Sequence, residues 1–170
     1  MGSGSRARID SAFSCGMMTK MLKAGIDLEA ALEMLNTSLL VKSSDESFAT
    51  LDICRIDLNT GDVLTCKAGG AVTYIRCGNT FTSVKEDGLP LGVGFRANYK
   101  GKTFRISEGD VIIMTSDGVH SDPEWLKNIV MRDKHADIDK ITETVGEAMR
   151  LSTDSDTEDD MTVIAVKLIR

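Results

Sequence analysis

The sequence has few prolines, histidines and aromatic residues, and what it lacks narrows the classes of protein that it can encode. Only 2 prolines and 2 histidines occur in 170 residues, and aromatic residues make up 5%. No apolar run approaches the roughly 20 residues of a membrane-spanning helix. The 4 cysteines form no C-x-x-C pair, which argues against zinc and for buried, reduced thiols. The N-terminus is polar rather than a signal peptide, so we expect a cytoplasmic chain, whose parent protein could carry a membrane anchor upstream.

The charge balance argues against a nucleic-acid-binding function. The chain has 20 basic and 26 acidic residues, a net charge of −6, and no basic stripe that could neutralise phosphates. Hydrophobic residues make up 42%, which is ordinary for a globular protein. We predict one domain over 1–170, with a helical hairpin over 1–44 and a sheet with packed helices over 45–170.

The first 44 residues have the apolar periodicity of two helices. Gly25 suits the position just past a first helix, and Asp27 suits the N-cap of a second. The predicted face of the first helix carries Ile9, Phe13, Met17 and Met21. The predicted stripe of the second is Leu28, Ala31, Leu32, Leu35 and Leu39. The methionine-rich faces suit either a core contact or an adaptable partner or dimer surface, and both interpretations stay open.

From residue 48 onward the pattern predicts strands separated by turns, followed by helices. The predicted strands are 48–58, 63–68, 72–77, 81–84, 102–106, 111–115 and 161–169. Asp122 and Pro123 mark the start of a helix, and 138–149 has the spacing of another. An acidic loop is predicted over 151–160. Antiparallel strands with segregated helices indicate an α+β fold.

Two acidic segments lie at the ends of predicted buried strands. Asp117 follows 111–115 by two residues, and Asp159 and Asp160 directly precede 161–169. If these strands are neighbours, Asp117 and Asp159 come close together, and close carboxylates need a cation between them. Oxygen ligands alone suit Mg²⁺ or Mn²⁺, and two such ions can activate a shared water toward a phosphoryl group. Ordinary turns have the same spacing, so the pattern alone leaves a structural role open.

Three further features have bland and functional interpretations. His120, two residues after Gly118, could shuttle a proton, but a histidine in a surface loop is commoner, and His135 lies in a predicted polar loop. The loop 88–94, GLPLGVG, could bind phosphate through its backbone amides. It lacks the lysine and spacing of a nucleotide-binding loop, which favours an ordinary structured turn.

Five segments, taken in order, resemble the metal-dependent type 2C (PPM) protein phosphatases. They are ESFATLD (46–52), KAG (67–69), LPLG (89–92), DVIIMTSDGV (110–119) and DDMTVIAV (159–166). The N-terminal MGSGSRA, followed by two helices, resembles the bacterial branch typified by the stage II sporulation protein E family. The set spans nearly the whole chain and is therefore specific, although each segment alone is a weak signal.

The resemblance implies an antiparallel β-sandwich with flanking helices and a protein serine/threonine phosphatase. It implies removal of phosphate from a serine of an anti-anti-sigma protein in sporulation control. Asp117 matches the metal-binding aspartate of the family's S-D-G motif, and Asp159 matches that of its D-[DN]-M-T motif. Gly118 and Asp160 are carried over only as groups that support these ligands. The resemblance further implies that water held by two Mn²⁺ or Mg²⁺ ions would be the nucleophile, so that no residue would become phosphorylated.

One departure from the family pattern concerns the N-terminus. In this branch the segment 2–4 normally follows an Asp-Gly-Met-Gly motif whose aspartate bridges the metals, whereas this sequence starts at Met1. We therefore expect the C-terminal part of a larger protein, without the bridging aspartate and the N-terminal strands. Such a chain is expected to fold, to bind metal weakly, to be inactive and to dimerise through an exposed sheet edge. The alternative function is a non-catalytic module on the same fold whose helical hairpin recognises a partner.

Overall fold

The computed structural model describes residues 5–42, 48–85, 88–95, 98–116, 123–132, 137–152 and 161–169. Its helices are α1 (Ser5–Lys23), α2 (Leu28–Lys42), α3 (Pro123–Arg132) and α4 (Ile138–Ser152). Its strands are β1 (Leu51–Ile56), β2 (Asp62–Ala68), β3 (Thr73–Cys77), β4 (Thr80–Val84), β5 (Lys102–Arg105), β6 (Val111–Thr115) and β7 (Val163–Lys167). None of these helices has the length and apolar character needed to cross a membrane.

The strands form two antiparallel sheets, with strand orders β1-β2-β5 and β4-β3-β6-β7. The predicted α+β class, with antiparallel strands and flanking helices, is confirmed. The chain divides into two compact units, 1–55 with 64–70 and 86–103, and 56–63 with 71–85 and 104–170. The division falls inside β1, β2 and β5, and the single domain predicted for 1–170 stays a prediction.

In the first unit, α1 ends and α2 begins where the sequence predicts. Gly25 has a φ of 80°, a left-handed conformation that favours glycine, and the N–H of Ile26 donates to the carbonyl of Met21 at 3.0 Å. The Asp27 carboxylate accepts the N–H of Glu29 at 3.2 Å, which caps α2. The predicted stripe of α2, from Leu28 to Leu39, is at most 1% exposed.

The predicted apolar face of α1 is only partly correct. Ile9 is 62% exposed, whereas Met18, which was not predicted to belong to the face, is 4% exposed together with Met21 at 6%. The reason is geometric, because residues spaced by four drift about 40° around the helix at each step. Met18 and Met21 belong to the hydrophobic core of this unit, so the core interpretation holds for these two methionines.

The second unit has its own core, formed by the four-stranded sheet with α3 and α4. The strands β3 and β4 form a two-residue hairpin at Gly78, whose φ is 54°, and the rings of Tyr74 and Phe81 stack at 5.7 Å between centroids. The buried members of this core are Tyr74, Val111, Ile113, Leu126, Val130, Ile141 and Val145. Because the apolar positions of α3 and α4 face the sheet, they account for the helical spacing seen in the sequence.

Most predicted strand boundaries differ from the observed ones, and the strand predicted over 161–169, for example, spans only Val163–Lys167. The strand predicted from residue 48 begins at Leu51, and Ala49 forms only an isolated bridge with Leu91. The loop predicted from Leu151 begins later, because α4 continues to Ser152. Leu151 has a high helix propensity, which offsets the polar composition of the following residues. The rest of the predicted acidic loop lies outside the described residues.

Candidate functional site

The strands that lead to the predicted metal ligands are neighbours in the structure. β6 and β7 pair antiparallel, with Thr115 opposite Val163. The pairing extends one step further, where the N–H of Ser116 donates to the carbonyl of Thr162 at 3.0 Å. The N–H of Thr162 in turn donates to the Ser116 hydroxyl at 2.9 Å. Ser116 and Thr162, which adjoin the chain segments that carry the predicted ligands, therefore lie together at one end of the β6–β7 pair.

The predicted site residues themselves lie outside the described part of the chain. This holds for Asp117, Gly118, Asp159 and Asp160, and also for His120 and His135. Their roles as metal ligands or supporting groups stay predictions. Within the described ranges, no group of three or more histidine, cysteine, aspartate or glutamate side chains could hold a metal ion.

The first unit contains a buried ion pair between Lys67 of β2 and Asp52 of β1. The Lys67 ammonium donates to Asp52 Oδ2, and the lysine side chain is fully buried while that of Asp52 is 16% exposed. A lysine charge is almost never buried without a partner, because desolvation of the ammonium is costly. The two residues come from separate family-like segments, 46–52 and 67–69, so the pair ties these segments together.

Two glycines next to this ion pair allow neighbouring residues to approach more closely than a side chain would permit. Gly69 has a φ of 65°, and a Cβ there would lie 2.7 Å from the ring of Pro90. A Cβ on Gly70 would lie 3.0 Å from Asp52 Cγ. The N–H of Gly69 donates to the carbonyl of Gly88 at 3.0 Å, which brings the loop 88–95 to the same place. Three of the five family-like segments thus meet around the Asp52–Lys67 pair.

Sequence reasoning quoted Asp52 and Lys67 inside motifs but did not pair them. The available signal was a single lysine in the otherwise uncharged stretch 63–68 and a single aspartate in the apolar stretch 51–54. Isolated charges of opposite sign in two buried strands indicate an ion pair when the strands are adjacent. Which strands are adjacent depends on the tertiary fold, so the sequence pattern alone could not predict this ion pair.

The cysteine next to this pair is not a candidate nucleophile. Burial raises the pKa of the Cys54 thiol to about 11, with the Asp52 carboxylate adding to the rise and Lys67 opposing it. The pKa of Cys77 is also raised, chiefly by burial and secondarily by Asp110. Because the thiolate is the reactive form, both thiols are protonated and weakly nucleophilic at neutral pH. All four cysteines are free thiols, but the predicted burial holds fully only for Cys66, since Cys54 and Cys77 are partly buried and Cys15 is exposed.

The loop 88–95 is held by a buried asparagine of α2. Asn36 Nδ2 donates to the carbonyl of Gly94, and Asn36 Oδ1 accepts the N–H of Gly92, both at 2.8 Å. Asn36 Oδ1 also accepts the Tyr99 hydroxyl at 3.2 Å, and burial raises the pKa of that phenol to about 12. The amide of Leu91 is bonded to Ala49 at 2.8 Å. Because two amides of GLPLGVG have internal partners, the structured-turn interpretation is favoured over phosphate binding.

Replacing Asn36 with leucine is expected to lower the free energy of unfolding by about 2 kcal/mol, since it leaves the Gly92 amide and the Tyr99 hydroxyl buried without their partner. Urea denaturation followed by circular dichroism measures the change. Thr37→Ala is the matched control, because its hydroxyl is exposed and bonds only to Glu33 of its own helix. Equal denaturation midpoints for the two variants would contradict a stabilising role for Asn36.

Comparison with solved structures gives the class of protein. The fold matches the PP2C phosphatase domain with a fragment of the regulatory domain of SpoIIE from Bacillus subtilis, with a TM-score of 0.84 and 29% identity. That match covers 98% of this chain and 52% of the other. The magnesium complex of RsbX matches with a TM-score of 0.74 at 21% identity, over 97% of this chain and 75% of the other, and supports the fold alone. The chain therefore has the PP2C phosphatase fold.

The family follows from the sequence itself. A family model described as stage II sporulation protein E (SpoIIE) matches residues 1–169, and the chain belongs to this family. It is 29% identical over 175 residues to stage II sporulation protein E of Bacillus subtilis (strain 168), covering 99% of this chain and 21% of that protein. The protein of the same description from Priestia megaterium is also 29% identical over 175 residues, with coverages of 99% and 30%. The chain thus spans less than a third of these relatives.

Proposed function

We propose that the protein is a metal-dependent protein serine/threonine phosphatase that removes phosphate from a serine of an anti-anti-sigma protein in the cytoplasm. Membership of the SpoIIE family and the PP2C fold support the reaction class. The substrate, the location and the activity of the parent protein are parts of the proposal, whereas the 170-residue chain itself stays predicted to be inactive. The relatives that match over less than a third of their length support them only by analogy.

The observation that carries the proposal is the pair of hydrogen bonds between Ser116 and Thr162, which extends the β6–β7 pairing to the residues next to the proposed ligands. Asp117 follows Ser116 directly, and Asp159 lies three residues before Thr162, so both residues are within a short chain length of the same end of the β6–β7 pair. Their donor set, hard oxygen without sulfur or nitrogen, fits Mn²⁺ or Mg²⁺. When bound, such ions supply Lewis acidity that activates water and neutralises phosphoryl oxygens.

The described residues contribute rigidity and argue against a cysteine nucleophile at two positions. The hydrogen bonds between Ser116 and Thr162 fix the chain directly before Asp117 and shortly after Asp159, which limits the freedom that metal binding must remove. The raised pKa values of Cys54 and Cys77 argue against a phosphatase that uses a cysteine nucleophile. We propose that Asp117 and Asp159 hold the metal and that Gly118 and Asp160 support them.

The test uses the full-length protein and a serine-phosphorylated anti-anti-sigma protein. Released phosphate is measured with Mn²⁺, with Mg²⁺ and after removal of metal by EDTA. We expect turnover with either ion, loss of turnover in EDTA, and recovery on adding Mn²⁺ back. Recovery separates metal dependence from denaturation, because a chain unfolded by the chelator would not regain activity at once.

Two outcomes would contradict the proposal. Turnover that persists in EDTA would exclude a metal-dependent reaction. Absence of turnover under every metal condition, with binding of the phosphoprotein intact, would favour the non-catalytic partner-binding module instead. Parallel titration calorimetry with Mn²⁺ on the same sample shows whether the protein binds metal at all.

A further inference from the structure

The last hydrogen-bonded step of the β6–β7 pair uses a side chain where a regular ladder uses the backbone. In a regular antiparallel pair, two opposed residues exchange both of their backbone N–H to carbonyl bonds. Ser116 and Thr162 continue the register of the strands by one step. The N–H of Ser116 donates to the carbonyl of Thr162 at 3.0 Å, but the N–H of Thr162 donates to the hydroxyl of Ser116, at 2.9 Å. The hydroxyl therefore accepts the bond that a regular ladder directs to the carbonyl of the same residue.

This change of acceptor bears on the peptide unit that leads to Asp117. The carbonyl of Ser116 and the N–H of residue 117 belong to one planar unit, which also contains both Cα atoms. A ladder bond to that carbonyl would hold the whole unit in the orientation of the strand. With the hydroxyl as acceptor, the N–H of Thr162 has its hydrogen bond without imposing that orientation, so the chain is able to turn away from the sheet directly after Ser116.

The hydroxyl of Ser116 stands at the end of a rigid strand. The first three residues of β6, 111–113, are at most 1% exposed, and the register with β7 is unbroken along the whole of β6. Ser116 itself is half-buried. A binding site needs its supporting groups held to within about 0.5 Å, and a side chain that extends a buried, paired strand meets that requirement better than one on a long loop.

The two bonded residues belong to the two motifs that carry the proposed ligands. Ser116 is the first residue of the S-D-G motif, and Thr162 is the last residue of the D-D-M-T motif. One serine side chain thus joins the two segments whose aspartates would hold the same ions. Because each segment meets the sheet at one of these two residues, loss of the hydroxyl would loosen both segments at once.

We propose that Ser116 is a positioning residue of the metal site, whose hydroxyl sets the spacing between the segments that carry Asp117 and Asp159 by accepting the N–H of Thr162. This proposal rests on the proposed phosphatase function. Ser116 acts through the two aspartates and not on the phosphoprotein. Its removal is therefore expected to weaken metal binding and to leave recognition of the substrate unchanged.

The test compares Ser116→Ala, which removes the hydroxyl, with Ser116→Thr, which keeps it. Calorimetric titration of the full-length protein with Mn²⁺ gives the dissociation constant. Ser116→Ala is expected to raise this constant about fivefold, the effect of losing one hydrogen bond, and Ser116→Thr to leave it within about twofold. At saturating Mn²⁺, KM for the phosphoprotein should be the same in both variants. The matched control is Thr144→Ala, which removes an exposed hydroxyl bonded to the carbonyl of Lys140 in its own helix and should not change the affinity for Mn²⁺.

Hydrogen exchange gives a second readout that needs neither metal nor turnover. In EDTA, mass spectrometry of a peptide covering 159–167 should show one additional fast-exchanging amide in Ser116→Ala but not in Ser116→Thr, because the N–H of Thr162 has lost its acceptor. An unchanged affinity for Mn²⁺ in Ser116→Ala would overturn the proposal, as would a threonine variant that binds Mn²⁺ as weakly as the alanine variant. If the unmodified protein binds no Mn²⁺, the proposed function is contradicted together with this proposal, whereas normal binding that Ser116→Ala leaves intact contradicts this proposal alone.

Discussion

Asp117→Asn in the full-length protein is expected to lower manganese-dependent dephosphorylation at least about a hundredfold, because residues that only orient a metal ligand already contribute about 10–100-fold. The substitution keeps the size of the side chain and removes only its charge, so the attraction between ligand and cation is lost without a packing defect. Initial rates at saturating phosphoprotein measure turnover, and calorimetric titration with Mn²⁺ measures the accompanying loss of metal affinity.

The control for this variant is Asp139→Asn, which neutralises an exposed carboxylate in the first turn of α4. It should retain turnover, and both variants should keep the thermal unfolding temperature of the unmodified protein within a few degrees. Near-normal turnover by Asp117→Asn would show that the metal ligands lie elsewhere in the protein. Loss of turnover together with loss of folding would contradict the prediction that the residue acts through its charge alone.

Lys67→Met is expected to lower the free energy of unfolding by about 3 kcal/mol, because breaking a buried ion pair from one side leaves an uncompensated charge. The charge left behind is that of Asp52. Because its side chain is 16% exposed, we expect a loss of stability at the lower end of the range known for broken buried ion pairs. Guanidinium denaturation of this chain measures the loss.

Two further variants make the expectation for Lys67 specific. Adding Asp52→Leu to Lys67→Met should recover most of the lost stability, since an apolar pair of similar volume replaces a buried ion pair at little cost. Arg105→Gln breaks the exposed pair with Asp62 and should have little effect, because solvent screens it. A double variant no more stable than Lys67→Met would indicate that the lysine stabilises the fold through packing of its aliphatic chain.

The order and type of the elements could be predicted from the sequence, because local chemistry dictates them. Gly25 and Asp27 mark the break between α1 and α2, and the apolar run 111–115 has the bounds of β6. The errors at Leu51 and Leu151 concern boundaries, where composition changes gradually. The exposure of Ile9 could not be predicted, because a spacing of four residues does not say which part of a drifting stripe meets the core.

Some features of the candidate site could likewise be predicted from the sequence, and others could not. The sequence offered the adjacency of β6 and β7 only as a condition for a metal site, and the pairing of the two strands in the structure meets that condition. The roles of Asp117 and Asp159 stay predictions. The contacts of Lys67 with Asp52 and of Asn36 with the loop 88–95 could not be predicted, because their partners are 15 and 56 residues away along the chain.

The predicted dimerisation through a sheet edge also stays a prediction. Among the described strands, β4 and β7 form the two edges of the four-stranded sheet. The strand β7 has the uncharged, β-branched composition through Val166 that pairs readily with another strand, with Lys167 as its only charged residue. Sedimentation of the chain over a range of concentrations would report such pairing.

The hydrogen bond from Gly101 to Glu29 has a consequence for synthesis on the ribosome. The N–H of Gly101 donates to the carboxylate of Glu29 in α2, and the two residues are 72 positions apart in the chain. At roughly 5–20 residues per second, Gly101 is made roughly 4 to 14 s after Glu29. The apolar stripe of α2 is therefore synthesised before Leu91 and Tyr99, which belong to the same hydrophobic core. The nascent hairpin is therefore a candidate client for chaperones that bind apolar segments.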